Sequence, residues 1–119
     1  MKNISSQIQN EEDCLFCKII RNEEPTDRVY ENDDFVVIKN KYPDAPVHLL
    51  IFPKKHYVKH DTLRGKNTHI WEGFYKTVSE VVEKLDLWDK YQLLVNAPGM
   101  GHFHHEHMHL ISGKDVLVK

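Results

Sequence analysis

The sequence predicts an α+β domain built on a five-stranded antiparallel sheet, with a short N-terminal helix and one long amphipathic helix. Three observations support this fold class. Short apolar segments bounded by turn residues occur on both sides of a central helical segment. That central segment, from Thr68 to Leu85, has apolar residues at intervals of three and four. A chain of 119 residues accommodates one hydrophobic core but not two. Strands on both sides of one helix favour an antiparallel sheet.

The first half of the chain predicts the short helix and three strands. Met1 to Asp13 is polar and is expected to form a flexible leader, followed by a single domain from Cys14 to Lys119. Pro25 ends the short helix or lies just beyond it. The second and third strands are expected to form a hairpin. The predicted elements are a helix at Cys14–Asn22 and strands at Arg28–Glu31, Phe35–Asn40 and Val47–Pro53.

The second half predicts the long helix and two more strands. The helical periodicity is carried by Ile70, Trp71, Phe74, Val78, Val81, Val82 and Leu85. Strands are predicted at Tyr91–Asn96 and His104–Ser112, with a glycine-containing loop at Ala97–Gly101 between them and a short tail from Gly113.

Composition excludes several classes of protein. The formal net charge of −2 argues against non-specific binding to nucleic acid through a basic surface. No apolar run is long enough to span a membrane, and the N-terminus has no secretory apolar core. The two cysteines are spaced Cys-x-x-Cys. We therefore expect reduced thiols, a cytoplasmic location, and neither a nucleic acid nor a membrane as partner.

Histidines are concentrated before the end of the chain. Five of the nine lie within eight residues, from His102 to His109. In a strand, alternate side chains share a face, so His105, His107 and His109 would lie together. A solvated polar strand or a tag-like tract is the alternative, although Phe103, Met108 and Leu110 interrupt the run. Neutral imidazole is a nucleophile and a metal ligand near pH 7, which favours a chemical site.

The motif His105-Glu106-His107-Met108-His109-Leu110 resembles the His-x-His-x-His-x motif of the histidine triad (HIT) superfamily. Three further segments are similar to that superfamily, and in the same order: Cys14–Ile20, Ala45–His56 and Leu94–Asn96. The chain most resembles the Hint-type branch of purine nucleotide-binding phosphoramidases. That resemblance implies a five-stranded antiparallel sheet with two helices, in agreement with the elements above.

The resemblance also implies catalytic roles. His107 matches the histidine that attacks the α-phosphorus and forms a nucleotidyl-histidine, which water then hydrolyses. His109 would donate to the phosphate, and His48 on a neighbouring strand would support the cluster. A satisfied core histidine is the alternative interpretation of His48.

A purine nucleotide is the implied ligand. Phe16, Ile19, Ile38 and Leu50 would form the base pocket; the alternative for each residue taken singly is an ordinary core position. Asn40 stands where the family usually has a ribose-binding aspartate, and an amide has fewer acceptor sites and no charge. Asn96 would reach the phosphate or leaving group; turn chemistry is its alternative role.

The loop before the triad departs from the family pattern. The family usually has a glutamine and a hydroxyl residue where this chain has Gly101 and His102. By this resemblance Gly101, His102 and Phe103 would lie beside the phosphate, without the family's glutamine and hydroxyl side chains. His102 would supply an imidazole donor in place of the missing hydroxyl.

A structural zinc site is implied by four matching positions: Cys14, Cys17, His56 and His105. Two thiolates and two imidazoles form a closed tetrahedral set of the kind that zinc prefers. The alternative is an apolar helix with two unpaired thiols, since some relatives bind no metal.

Three function classes follow. The first is a hydrolase of nucleoside 5′-phosphoramidates, with dinucleoside polyphosphates as the second substrate class. The others are a nucleotide-binding regulatory module with little turnover, and a hydrolase whose histidines bind a catalytic metal. The resemblance further implies a homodimer, joined through the long helix and a strand.

Overall fold

The computed structural model describes residues 12–88, 90–100 and 103–113. Most of the predicted leader, the tail beyond Gly113, and both Gly101 and His102 lie outside these residues. No helix of the described part is both long and apolar enough to cross a membrane. In chain order the elements are α1 (Leu15–Ile20), β1 (Arg28–Glu31), β2 (Phe35–Lys39), β3 (Val47–Pro53), α2 (Lys59–Thr62), α3 (His69–Leu85), β4 (Gln92–Leu94) and β5 (Met108–Ser112).

The five strands form one antiparallel sheet in the order β1-β2-β3-β5-β4. This confirms the predicted fold class. Strands β3 and β5 are neighbours in this sheet, and in their pairing Leu50 lies opposite His109 and Ile51 lies opposite Met108.

The sheet separates two clusters of buried side chains because residues along a strand alternate between its faces. On β2, Phe35 and Val37 pack with α3, and Val36 and Ile38 pack on the opposite face with α1. Helix α3 buries one stripe against the sheet: Ile70, Phe74, Thr77, Val78, Val81 and Val82. It ends at Asp86, whose left-handed φ of 57° stops the helical hydrogen bonding.

One strand boundary and one additional helix differ from the sequence prediction. The fifth strand was predicted from His104 but begins at Met108. Residues before it bond to the segment that leads into α2: Lys59 N–H donates to the His104 carbonyl at 2.6 Å, and Glu106 N–H donates to the Tyr57 carbonyl at 2.7 Å. The polar segment after His56 was not predicted to be helical, yet it forms the short helix α2.

Three further elements are shorter than predicted. Helix α1 ends at Ile20, β2 ends at Lys39, and β4 spans only Gln92–Leu94. Asn40 N–H still donates to the His48 carbonyl at 2.8 Å, so the β2–β3 ladder frays gradually at that end.

Candidate functional site

The three triad histidines lie on the face of the sheet opposite α3. His105 and His107 both contact the ring of Phe16 on α1, with centroids 5.5 and 5.2 Å apart. The His107 and His109 rings are 5.2 Å apart. The predicted shared face is therefore confirmed, although His105 and His107 precede the strand.

The tautomer of His107 follows from one contact. Its Nδ1 lies 3.0 Å from the carbonyl oxygen of His105. A carbonyl only accepts, so Nδ1 carries the hydrogen and donates. The other nitrogen, Nε2, then has its lone pair free, and no described residue hydrogen-bonds to it.

His48 and His109 form a second defined pair. Asp44 N–H donates to His48 Nδ1 at 3.0 Å, so His48 carries its hydrogen on Nε2. That nitrogen lies 2.9 Å from His109 Nδ1, which therefore accepts. His109 is left with N–H on Nε2, a donor suited to a phosphate oxygen.

Burial keeps these imidazoles neutral. It lowers the pKa of His107 to about 4, against the opposing hydrogen bond to the His105 carbonyl; the positive charge of Lys59 also lowers it. Burial likewise lowers the pKa of His109 to about 4; His107, His48 and Lys59 lower it further, and Asp44 opposes the shift. The pKa of His48 is lowered by burial too, and Asp44 again opposes the shift.

Cys14, Cys17, His56 and His105 come together as predicted, with their potential ligand atoms all within 4.8 Å of one another. The Sγ–Nδ1 distances are 3.3 Å for Cys14–His105, 3.6 Å for Cys17–His105 and 3.2 Å for Cys17–His56. A tetrahedral zinc with ordinary bond lengths has a sulfur–nitrogen edge of about 3.5 Å.

The second nitrogen of His105 supports this arrangement. His105 Nε2 lies 2.8 Å from the Pro53 carbonyl oxygen and must donate to it. Nδ1 therefore presents a lone pair to the sulfurs, and burial lowers the pKa of His105 to about 3. The four residues fit a metal ion and are compatible with zinc.

A cavity of about 530 Å³ lies between α1 and the sheet. All four predicted base-pocket residues line it: Phe16, Ile19, Ile38 and Leu50. Phe103 closes one side, with its ring 5.0 Å from that of Phe16.

A smaller cavity of about 350 Å³ adjoins it, since Asn40, Tyr42, Leu50 and Phe103 line both. The triad residues His107 and His109 and the predicted Asn96 line this second cavity. The two cavities thus connect the apolar pocket to the histidines.

Among the described residues, the fold brings together every site residue that the sequence predicted. Gly101 and His102, predicted near the phosphate, lie outside the described residues. The structure adds Tyr42, Asp44 and Met100 to the wall of the smaller cavity. Phe103, which follows the two residues that depart from the family pattern, lines both cavities. Its aromatic side chain next to the histidine run is the sequence feature that indicates this position.

The comparisons agree with this geometry. The family model described as "Scavenger mRNA decapping enzyme C-term binding" matches residues 13–117. An uncharacterized HIT-like protein from Chlamydia trachomatis is 35% identical over 101 residues, which cover 83% of this chain and 91% of the relative. The adenylylsulfatase HINT3 from Arabidopsis thaliana is 36% identical over 114 residues, covering 93% of this chain and 56% of the plant protein.

A 14 kDa zinc-binding protein from Zea mays is 32% identical over 106 residues, covering 86% of this chain and 83% of the relative. Among solved structures, a HIT family hydrolase from Clostridium thermocellum superposes with a TM-score of 0.77 at 35% identity, covering 88% of this chain and 94% of its own. A histidine triad protein from Clostridium difficile gives 0.80 at 27% identity, covering 98% and 96%. The chain belongs to the histidine triad superfamily, as a HIT-family hydrolase or nucleotide-binding protein.

Proposed function

We propose that the chain hydrolyses purine nucleoside 5′-phosphoramidates through a nucleotidyl intermediate on His107. The observation that carries this proposal is the hydrogen bond from His107 Nδ1 to the His105 carbonyl, 3.0 Å long. The bond keeps Nε2 unprotonated in a neutral imidazole and holds the ring in one orientation. A histidine nucleophile requires both.

The reaction has two displacements. The Nε2 lone pair of His107 attacks the α-phosphorus, a P–N bond to His107 forms, and the P–N bond to the leaving amine breaks. The amine takes a proton from a bound water as its bond to phosphorus breaks. A second water then attacks the phosphorus and gives a proton to solvent, the P–N bond to His107 breaks, and the nucleoside monophosphate and the free imidazole are released. His109 Nε2–H is suited to stabilise the phosphate oxygen, because its tautomer is set by His48.

The nucleotide would extend across both cavities. Its purine would occupy the apolar cavity of about 530 Å³ beside Phe16, and its phosphate would lie in the smaller one beside His107. Between them Asn40 would contact the ribose, and Asn96 would contact the phosphate or leaving group.

The second substrate class, dinucleoside polyphosphates, is less well supported. Asp44 lines the smaller cavity, where its carboxylate would repel an anionic leaving group. No Lys or Arg lines that cavity within the part of the chain that the structure describes. An amine leaving group, neutral or cationic, suits this charge distribution better.

We further propose that zinc is structural here. All four positions of the Cys14–Cys17–His56–His105 cluster are protein side chains, which leaves no open position for a reacting water. Bound zinc would supply folding energy by linking α1 to the loop before β5. Neither His107 nor His109 belongs to the cluster, so a catalytic-metal hydrolase is disfavoured.

A homodimer is proposed through α3 and an adjacent strand. Tyr75 on α3 is 58% exposed, and Leu94 at the end of the edge strand β4 is also exposed. Burying such apolar surface against a second copy would be favourable. Light scattering at micromolar concentration tests this, and a monomer would contradict it.

The decisive experiment compares wild type with His107→Ala on an adenosine 5′-phosphoramidate, following release of AMP. We expect the variant to lose at least about 1,000-fold in kcat, because the nucleophile is absent. Trapping of a nucleotidylated wild-type chain by acid-free quenching and mass spectrometry gives the complementary positive result. AMP binding without histidine-dependent turnover would instead indicate the regulatory module.

A further inference from the structure

Lys59 and Glu106 form an ion pair in which both side chains have zero exposure. Their Nζ–Oε1 distance is 2.5 Å. The other ion pairs among the described residues keep at least 25% of each side chain exposed. Glu106 lies in sequence between His105 of the cysteine–histidine cluster and His107, so the buried pair lies next to the site.

Both oxygens of the Glu106 carboxylate accept hydrogen bonds. Oε1 accepts from Lys59 Nζ and also from the backbone N–H of His107, at 2.9 Å. Oε2 accepts from the hydroxyl of Thr62. We call Lys59, Thr62 and Glu106 the carboxylate clamp.

The clamp replaces strand pairing where strand pairing stops. β5 begins only at Met108, so residues 105–107 are not part of its ladder with β3. One isolated bridge joins His105 to Val58, just before α2. The main chain of residues 105–107 also provides the carbonyl that fixes the His107 ring. The position of the nucleophile therefore depends on how firmly this short segment is held.

Stability alone does not account for a buried charge pair here. Desolvating two charges is costly, and well-packed apolar side chains of similar volume often stabilise a fold as well or better. An apolar side chain at position 106, however, offers no acceptor to the buried His107 N–H.

We propose that the carboxylate clamp positions the His107 imidazole for attack, acting through the main chain of residues 105–107. Glu106 is thus a positioning residue for the reaction. Lys59 neutralises its charge and Thr62 holds Oε2. The effect of the clamp on turnover rests on the function proposed above.

Two double variants test the clamp. Each removes one positive and one negative charge, so the net charge of the protein is unchanged. Lys59→Met with Glu106→Gln removes both charges but keeps an amide oxygen for the His107 N–H. Lys59→Met with Glu106→Leu removes that acceptor as well. We expect the Gln double variant to stay within about 3-fold of the wild-type kcat, and the Leu double variant to lose about 10-fold or more with KM unchanged. Equal kcat values in the two variants would overturn the proposal.

The ring ¹⁵N spectrum of His107 gives a readout that needs no substrate. We expect the wild type and the Gln double variant to show the Nδ1–H tautomer, and the Leu double variant to show a mixture. Identical ring spectra in all three would contradict the clamp. Absence of phosphoramidate hydrolysis by wild type would remove the proposed function, while these spectra would still test the clamp.

Thr62→Val serves if the Leu double variant does not fold, since it removes only the hydroxyl that holds Oε2. We expect a loss of about 3-fold in kcat at unchanged KM, together with a shifted His107 ring spectrum. An unchanged kcat and spectrum in this variant would overturn the proposal.

Discussion

His48 Nε2 donates to His109 Nδ1 across 2.9 Å, between neighbouring strands of the sheet. The backbone N–H of Asp44 fixes the direction of that bond by occupying the other nitrogen of His48. His109 consequently presents an N–H, rather than a lone pair, toward the cavity that it lines. The backbone N–H of Asp44 thus determines that His109 is a hydrogen-bond donor, and not an acceptor, at the site.

His48→Phe should therefore impair catalysis more than binding. Without the donor, the His109 ring can adopt either tautomer, and one of them presents a lone pair to the phosphate. We expect kcat to fall about 10-fold to 100-fold with KM changed little. Steady-state kinetics on an adenosine 5′-phosphoramidate measure this, with His60→Gln as a control because His60 lines neither cavity. A wild-type kcat in His48→Phe would show that the hydrogen bond from His48 does not set the tautomer of His109.

The low pKa values predict an unusual pH profile. The attacking form of His107 is the neutral imidazole, and its pKa is lowered to about 4. Protonation therefore begins only well below the ordinary histidine range, and kcat/KM should remain level from neutral pH down to about pH 5. An acid limb near the ordinary value of about 6.5 would show that the ring is not buried during turnover.

Stability should fall over the same acid range. A histidine with a lowered folded-state pKa binds its proton more readily in the unfolded chain, here between about pH 6.5 and 4. The free energy of unfolding therefore decreases as the pH falls through that window and levels off below it. Initial rates and circular dichroism at each pH separate loss of fold from protonation of the nucleophile.

Much of the fold is predictable because it is encoded locally. The periodicity from Ile70 to Leu85 fixes α3, and the apolar residues of β2 and β3 alternate between its face and that of α1. The start of β5 is not local: it depends on whether residues before Met108 pair with β3 or with the segment at Tyr57. No pattern within the histidine run distinguishes these partners.

The site, like the fold, has features that the local sequence predicts and features that depend on distant contacts. The histidine run identified His105, His107 and His109, and the family resemblance supplied their separate roles. The Lys59–Glu106 pair could not be predicted, since the two residues are 47 positions apart and a charged residue in a polar run usually faces solvent. Only the close approach of α2 to residues 104–107 makes that carboxylate a buried one.

Removal of the metal should affect the fold before the chemistry. Cys17→Ser replaces a thiolate in the Cys14–Cys17–His56–His105 cluster with a poor zinc ligand. We expect purified wild type to contain zinc, and the variant to lose it together with more than about 4 kcal/mol of unfolding free energy. Metal analysis and thermal denaturation measure both quantities.

Chelation distinguishes structural from catalytic zinc. The wild type should retain its kcat in the presence of a chelator at temperatures where circular dichroism shows that it stays folded. Immediate loss of turnover in folded, chelated protein would instead indicate a metal-activated water.

The amide at Asn40 leads us to expect weak selection for ribonucleotides over 2′-deoxyribonucleotides. Its Oδ1 already accepts the backbone N–H of Tyr42 at 2.9 Å, and its Nδ2 lies 3.1 Å from His48 Nε2, whose hydrogen is directed to His109. The amide thus offers the sugar chiefly a donor, whereas ribose hydroxyls bind best to an anionic acceptor. Wild type should accept a 2′-deoxyadenosine phosphoramidate nearly as well as the ribonucleotide.

Asn40→Asp should restore that selection. A carboxylate can accept both the Tyr42 N–H and the ribose hydroxyls, and a hydrogen bond to a charged group contributes about 1.5–3 kcal/mol. We expect the ratio of kcat/KM for ribo over 2′-deoxy substrate to rise about 10-fold or more. Asn67→Asp, the same chemical change at an exposed turn, should leave the ratio unaltered. If Asn40→Asp gave the wild-type ratio, the ribose would have to bind elsewhere, because no amide-to-carboxylate change at a true contact could leave the two sugars equally favoured.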